Sequence, residues 1–260
     1  MNQIALYLLS VKIINRSQAR SVVAAAAYEN GKRLYNERDG QTFGYEFKSD
    51  ILYTNVLLPD TAPPEFSNSE ILWNAVERAE DASTRWETAQ TARVIIVALP
   101  REFTFPVRKE LIERYVLNTF VRQGMCADLA IHAGVHSDNP HAHVLLTTRE
   151  VSPSGFGNKN RDWNTRKALN MWREEWAKAL NREFMLRNID AHVAHKSHKR
   201  RGDDEHNPTL HLGPVLSAME RRGIRTLKGD YNRAIEAERK EQKRQKQLEI
   251  EMGQSRERGR

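Results

Sequence analysis

The sequence predicts an α/β fold in which a mainly antiparallel central sheet is flanked by helices and followed by a helical C-terminal extension. Short apolar stretches alternate with helix-like stretches up to about residue 186, which indicates a layered α/β protein. Two predicted strands are separated only by the turn residues 137–140, and so short a connection joins antiparallel neighbours. After Gly229 the chain is dominated by Glu, Lys, Arg and Gln, which predicts an exposed helix.

Each element is predicted from a local pattern. Strands are predicted where Ile, Leu and Val cluster between turn residues, at residues 3–14, 45–58 (two short stretches), 93–99, 128–135 and 141–148. Helices are predicted from capping residues, breakers and amphipathic spacing, at residues 22–30, 69–90, 106–123, 163–186 and from 230 onward. We expect Asn15 or Ser17 to cap the first helix and Gly31 to end it.

The composition indicates one class of partner and excludes several kinds of structure. The 260 residues include 41 Lys and Arg against 34 Asp and Glu, a net charge of +7, so nucleic acid is the first partner to consider. The single cysteine, Cys126, excludes an intramolecular disulfide framework and a Cys-based zinc site. No apolar run approaches the roughly 18 residues that span a bilayer, and the apolar start lacks the features of a signal peptide. We therefore expect a soluble, cytoplasmic protein without membrane insertion.

Three histidines form the strongest local signal. His141 and His143 lie two apart on a predicted strand, so their side chains project to the same face. The turn at 137–140 folds this strand back on the one that carries His132. Three imidazoles that converge on one sheet face would form a metal site with open positions, as a catalytic metal requires. The alternatives are unrelated polar residues near a turn, or a simple zinc hydrolase.

The first predicted helix carries a candidate nucleophile. Arg16 and Arg20 lie near its start, and arginines and serine hydroxyls commonly contact phosphates. A tyrosine on a face of small residues is a plausible nucleophile, although it needs a metal or a base to ionise at neutral pH. The alternative is that the tyrosine packs against the sheet. Four residues at spacings of four, three and four share this face: Ser17, Ser21, Ala24 and Tyr28.

A basic segment near residue 200 is a second candidate for phosphate contact. Each Lys or Arg on such a segment can displace a condensed counterion from DNA. A solvated loop is an equally good interpretation of the same composition. The residues concerned are Lys196, Lys199, Arg200 and Arg201.

Several short motifs follow one another along the chain. They are Asn15–Tyr28, Ala98–Glu102, His132-Ala133-Gly134, Asn139–His143, His211–Pro214, Met219–Ile224 and Gly229–Arg233. Their order and spacing resemble those of the MobA/MobL (MobQ-type) plasmid mobilisation relaxases, which belong to the HUH endonucleases. The resemblance covers about residues 3 to 235, so we expect a relaxase domain at 1–235 and a charged helical tail at 236–260.

The resemblance implies strand-specific nicking of DNA at a plasmid transfer origin. Tyr28 would be the nucleophile, and His132, His141 and His143 would hold one divalent cation, Mg²⁺ or Mn²⁺, for which other divalent ions can substitute. The protein would become linked to the 5′-phosphate of the cut strand, and the reverse reaction would rejoin the ends. Expected partners are single-stranded and hairpin DNA at the origin, relaxosome accessory proteins and a coupling protein, in the bacterial cytoplasm.

The chain departs from the family pattern at one place, so the residue that orients the histidines or activates Tyr28 is not identified by the resemblance. Some relatives carry acidic residues in the strand before Ala-Leu-Pro, whereas this chain has only apolar residues at 94–97. Glu87 or Asp128 could instead orient the histidines or activate Tyr28. Relaxases of this group are also often longer, so we expect either a short member or a piece of a longer protein.

The sequence is also compatible with other functions that involve DNA. HUH replication initiators and transposases share the histidines, but their tyrosine usually follows them. A non-catalytic DNA-binding regulator or accessory protein would use the histidines structurally. If the chain is a relaxase with a different nucleophile, Tyr35 and Tyr45 are the next candidates.

Overall fold

The computed structural model describes residues 7–18, 21–134, 139–195, 209–210 and 212–258. The chain divides into two compact units, Met1–His195 and Lys196–Arg260. The expected relaxase domain at 1–235 and charged tail at 236–260 stay a prediction. In the second unit, the two helices after residue 212 are bound to each other. Glu220 accepts hydrogen bonds from Thr226 and forms an ion pair with Arg233.

Nine strands and six α-helices lie within the described residues. The strands are β1 Leu9–Asn15, β2 Arg33–Asn36, β3 Gln41–Gly44, β4 Ile51–Leu57, β5 Gln90–Ala98, β6 Ala127–His132, β7 His141–Thr147, β8 Arg149–Ser152 and β9 Gly155–Lys159. The helices are α1 Val22–Asn30, α2 Ser69–Asp81, α3 Phe105–Thr119, α4 Arg166–Leu186, α5 Gly213–Arg221 and α6 Leu227–Arg258. No helix in this part of the chain is long and apolar enough to cross a membrane.

The first unit is built on a five-stranded antiparallel sheet. Its strand order is β1-β5-β7-β6-β4, and every neighbouring pair is antiparallel. The pairs β2–β3 and β8–β9 form two separate hairpins. The predicted fold class, an antiparallel sheet flanked by helices, is confirmed.

Helices cover both faces of this sheet. Because side chains alternate along a strand, one set of apolar side chains packs with α1 and α2, as Val94 and Leu145 do. The other set, which includes Ile95 and Val144, packs with α3 and α4. Trp172 and Trp176 on α4 are fully buried in this second layer, and Trp163, which could have stacked on a base, is also buried there.

The start of α1 differs from the prediction. The helix begins at Val22, and Ser21 is its cap, because the Ser21 hydroxyl accepts a hydrogen bond from the backbone N–H of Ala24. Asn15 instead stabilises a short 3₁₀ turn, where its side chain accepts hydrogen bonds from Ser17 and from the backbone of Gln18. Ser17 therefore lies outside the helix and does not share its face with Tyr28. Gly31 ends the helix in the left-handed conformation, as predicted.

Helix α2 is shorter than predicted. It ends at Asp81 instead of continuing to residue 90, and residues Trp86–Thr88 form a separate 3₁₀ turn. The side-chain oxygen of Ser83 accepts a hydrogen bond from the backbone of Arg85. Such local side-chain bonds compete with helical hydrogen bonds, which explains the early end.

Candidate metal centre and active site

The strand register brings the three predicted histidines together. His132, the last residue of β6, pairs with His141, the first residue of β7, and His143 pairs with Ala130. All three side chains face the side of the sheet that α1 covers, and their ring centroids are 4.6–5.3 Å apart. One ring nitrogen from each residue lies within 4.8 Å of the other two. The predicted convergence of the three imidazoles is therefore present in the fold.

Each imidazole has a neighbour at its other nitrogen. Nδ1 of His141 lies 2.6 Å from the carbonyl oxygen of Asn139, and Nε2 of His132 lies 2.7 Å from the carbonyl oxygen of Glu29. Nδ1 of His143 lies 2.7 Å from Oε2 of Glu29. Contacts of this kind fix the ring orientation of a metal-ligating histidine and leave its second nitrogen for the metal.

The chemistry of the three rings suits a divalent cation. Burial lowers the pKa of His132 to about 4, although its bond to the Glu29 carbonyl partly opposes this shift. Burial also lowers the pKa of His141. Both rings are therefore neutral at physiological pH, which is the form that binds metals. Three imidazoles on one face leave coordination positions open on the other side.

Gly134 allows the segment after β6 to pass close to Asn139, which precedes β7. Gly134 follows β6 with a φ of 78°, in the left-handed region that favours glycine. A Cβ atom at this position would lie 2.6 Å from the carbonyl oxygen of Asn139, and that oxygen is the neighbour of the His141 ring. The close approach of these two segments therefore requires glycine.

Tyr28 is presented to solvent on α1, the helix whose Glu29 contacts this cluster. It lies near the end of α1, and 49% of its surface is exposed, so the alternative that it packs against the sheet is wrong. Its ring meets the edge of Tyr45 at 5.3 Å. Nζ of Lys48 lies 3.8 Å from the ring centroid and donates a hydrogen bond to the backbone carbonyl of Tyr28. Phe47, beside Tyr45, is 80% exposed.

Asp128 does not orient the histidines, because it anchors α1 to the sheet. Its Oδ2 atom accepts hydrogen bonds from Asn30 at 2.9 Å and from the indole of Trp73 at 2.8 Å. Asn30 is the last residue of α1. The carboxyl is completely buried, and burial raises its pKa. Asp128 thus fixes the end of the helix that carries Tyr28.

Glu87 is also wrong as an orienting group. It is exposed in the turn before β5, whereas the residues of β5 that pair with His141 and His143 are at the other end of that strand. At about 3.3 Å per residue, the intervening strand separates Glu87 from the rings by roughly 20 Å or more.

Two carboxylates lie beside the cluster, and the sequence interpretation missed both. Oε2 of Glu29 is 2.7 Å from Nδ1 of His143, and Oδ2 of Asp50 is 3.7 Å from Nδ1 of His132. The position of Glu29 directly after Tyr28 was the signal that could have identified it.

Two of the residues predicted to contact DNA have structural roles. Arg16 is buried, and its guanidinium forms ion pairs with Glu77 at 2.5 Å and Asp81 at 2.7 Å. It therefore cannot reach a phosphate, and this prediction is wrong. The Ser21 hydroxyl caps α1 and also accepts a hydrogen bond from Asn36.

Of the remaining predicted DNA contacts, only Ser17 lies within the described residues. Ser17 is exposed, and its hydroxyl donates to Asn15. The others lie outside the described residues: Arg20, Lys196, Lys199, Arg200 and Arg201.

The amino-acid sequence is similar to those of known mobilisation proteins. The chain is 32% identical to a "Probable mobilization protein MobA" of Bifidobacterium longum, over 89% of this chain and 47% of that protein. It is 31% identical to a "Mobilization protein MobL" of Acidithiobacillus ferridurans, over 84% of this chain and 64% of that protein. The chain thus spans less than two thirds of the length of either relative.

A solved structure shares the fold. Its title is "Molecular Basis of Vancomycin Resistance Transfer in Staphylococcus aureus". The superposition covers 74% of this chain and 100% of the solved chain, with 30% sequence identity and a TM-score of 0.68. The family model described as MobA/MobL matches residues 20–222. That range is more than half of the chain, and it contains Tyr28 and all three histidines. The resemblance stated from the motifs is therefore confirmed, and the chain belongs to the MobA/MobL family.

Proposed function

We propose that this chain nicks one strand of DNA at a plasmid transfer origin by tyrosine transesterification. One observation carries the proposal. Tyr28 is half exposed at the end of α1, and the next residue, Glu29, contacts two of the three clustered histidines. The proposed nucleophile and the residue that contacts the proposed cation site are thus neighbours on one helix.

In the proposed reaction, the Tyr28 hydroxyl oxygen attacks the scissile phosphorus and loses its proton. The phosphorus–O3′ bond breaks, and the 3′ oxygen leaves as a hydroxyl. A phosphodiester between Tyr28 and the 5′-phosphate replaces the one that is lost, so attack by a free 3′-hydroxyl reverses the step. A divalent cation held by His132, His141 and His143 would polarise the phosphate and neutralise its charge.

Neighbouring side chains support single-stranded DNA as the substrate. Lys48 places a positive charge beside the Tyr28 ring, where it can attract the phosphate. Tyr45 and the exposed Phe47 offer rings on which unpaired bases can stack. Recognition would combine this surface with a hairpin at the origin, and relaxosome accessory proteins and a coupling protein would be the protein partners.

The proposal of plasmid mobilisation draws on the relatives. Two of them carry the word mobilization in their names, and another, 30% identical over 82% of this chain, is a "Conjugal transfer protein TraA" of Agrobacterium fabrum. These names fit a role in moving plasmid DNA between cells. Mg²⁺ or Mn²⁺ is the proposed cation.

A covalent-adduct assay tests the proposal. The protein is incubated with Mn²⁺ and with single-stranded oligonucleotides, labelled at the 3′ end, that tile the transfer origin of the plasmid carrying its gene. We expect a labelled protein band on a denaturing gel that disappears in EDTA and in Tyr28→Phe. An adduct that persists in Tyr28→Phe would show that another residue is the nucleophile, and Tyr35 and Tyr45 would be tested next. DNA binding without an adduct on any oligonucleotide would contradict the proposed activity and favour a non-catalytic DNA-binding role.

A further inference from the structure

His143 has a buried ring nitrogen that faces one carboxylate. Nδ1 of His143 and Oε2 of Glu29 are 2.7 Å apart, and the two side chains are only 12% and 13% exposed. Neither atom has a hydrogen-bond partner of good angle among the described residues, so the contact is one of distance and charge. A separation of 2.7 Å is short enough for a charge-assisted N–H···O bond once the two groups are aligned, and each buried atom is the other's polar neighbour.

The sheet itself offers His143 no carboxylate. Its neighbour on β5 is Ile96, and its neighbour on β6 is Ala130. Asp128 is occupied by Asn30 and Trp73, as described above. A carboxylate for this ring must therefore come from the helix that covers the sheet, and Glu29 on α1 supplies it.

Residue 29 contacts two rings through different groups. Its backbone carbonyl lies 2.7 Å from Nε2 of His132, while its side chain contacts His143. Substitution of the side chain thus removes the contact with His143 and leaves the backbone contact with His132. Because Tyr28 precedes Glu29, the same turn of helix carries the nucleophile and holds the rings.

We propose that Glu29 is the positioning residue for His143: its carboxylate accepts the Nδ1–H proton and thereby directs Nε2 towards the cation. This inference rests on the proposed metal-dependent nicking. Loss of such a contact to a ligating histidine reduces metal affinity by about 10- to 100-fold.

Metal binding without DNA tests this role separately from nicking. Co²⁺ is titrated into the metal-free protein, and its visible absorption bands report both affinity and ligand geometry. We expect Glu29→Gln, which has the same shape without the charge, to bind Co²⁺ about 10- to 100-fold more weakly. Glu29→Asp provides a second variant, and we expect it to bind more tightly than Glu29→Gln because it keeps the charge. Circular dichroism verifies that each variant folds.

The matched control is Glu110→Gln. Glu110 is an exposed residue of α3, on the other side of the sheet, and it pairs only weakly with Arg114 at 3.3 Å. We expect this variant to bind Co²⁺ like the unmodified protein. Unchanged Co²⁺ affinity in folded Glu29→Gln would overturn the positioning role and leave the proposed nicking untouched. Absence of Co²⁺ binding by the unmodified protein would overturn both.

A double-mutant cycle separates positioning from direct ligation. If Glu29 acts through His143, Glu29→Gln has no further effect on Co²⁺ affinity once His143→Ala is present. An additive loss in the double variant would show that Glu29 acts independently of His143, and it would overturn the proposal.

Discussion

At the scale of single residues, His132 is the most buried member of the cluster. Its side chain is 3% exposed, and it lies between the sheet and the backbone of α1. A neutral ring can occupy this position more easily than a charged one, because burial penalises charge. The same burial that prepares the ring for a metal therefore makes the metal-free protein sensitive to acid.

We predict that the metal-free protein loses stability as the pH falls below neutral. The pKa of His132 is about 4 in the folded protein and about 6.5 in an unfolded chain. Between these values the unfolded state binds more protons, so the free energy of unfolding falls with falling pH, by about 3 kcal/mol from this residue. Urea unfolding in EDTA at pH 7, 5.5 and 4 measures this effect. In His132→Gln the dependence on pH should be shallower, and an identical slope would refute the assignment.

Arg16 shows why a residue type alone is a poor guide to DNA contact. An arginine near a helix start is a reasonable phosphate ligand, but its partners Glu77 and Asp81 are more than 60 positions away in the sequence. Nothing local indicates them. The contact of Glu29 with His143 is also long-range, so only the position of Glu29 directly after Tyr28 pointed to it in the sequence.

We predict that Arg16→Ala destabilises the protein without weakening its binding to single-stranded DNA. Removal of the guanidinium leaves Glu77 buried and unpaired, which costs about 3–5 kcal/mol. Unfolding is followed by tryptophan fluorescence, since all five tryptophans lie before residue 195. The control is Arg78→Ala, which breaks an exposed pair with Glu37 and should cost about 1 kcal/mol or less. Normal stability with reduced DNA affinity would restore Arg16 as a DNA contact.

At the scale of elements, the hairpin that carries the histidines was predictable and the segment opposite Tyr28 was not. The spacing of His141 and His143, together with the turn at 137–140, is a local pattern that fixes which face the rings share. The segment from Tyr45 to Lys48 has no regular periodicity. Its place beside Tyr28 depends on tertiary contacts, namely the aromatic pair and the lysine above the ring.

We predict that Phe47→Ala weakens binding of single-stranded DNA by about 5- to 150-fold, which corresponds to about 1–3 kcal/mol for one stacked base. Phe47→Trp should retain the affinity, because it keeps an aromatic surface. Fluorescence anisotropy with a labelled origin oligonucleotide measures both. Phe105 provides the control, since it is 37% exposed at the start of α3 on the other side of the sheet. Equal effects of Phe47→Ala and Phe105→Ala would rule out a specific stacking surface.

At the scale of the whole molecule, the order of motifs was more informative than composition. A net charge of +7 is compatible with many partners, whereas the tyrosine near the start and the histidines after the central strand both lie within the residues that the family model matches. The fold class followed from the alternation of strands and helices and from the short connection at 137–140. The division into two compact units depends on contacts between residues that no local pattern of the sequence indicates.

The proposed nicking reaction requires that the oxygen of Tyr28 forms the bond to DNA. The most direct measurement is mass spectrometry of the protein after reaction with the origin oligonucleotide and Mn²⁺, followed by nuclease and protease digestion. We predict a phosphonucleotide attached to the peptide that contains Tyr28, in which the modification lies on the tyrosine oxygen. A modification on Tyr35, on Tyr45 or on a histidine would contradict the account.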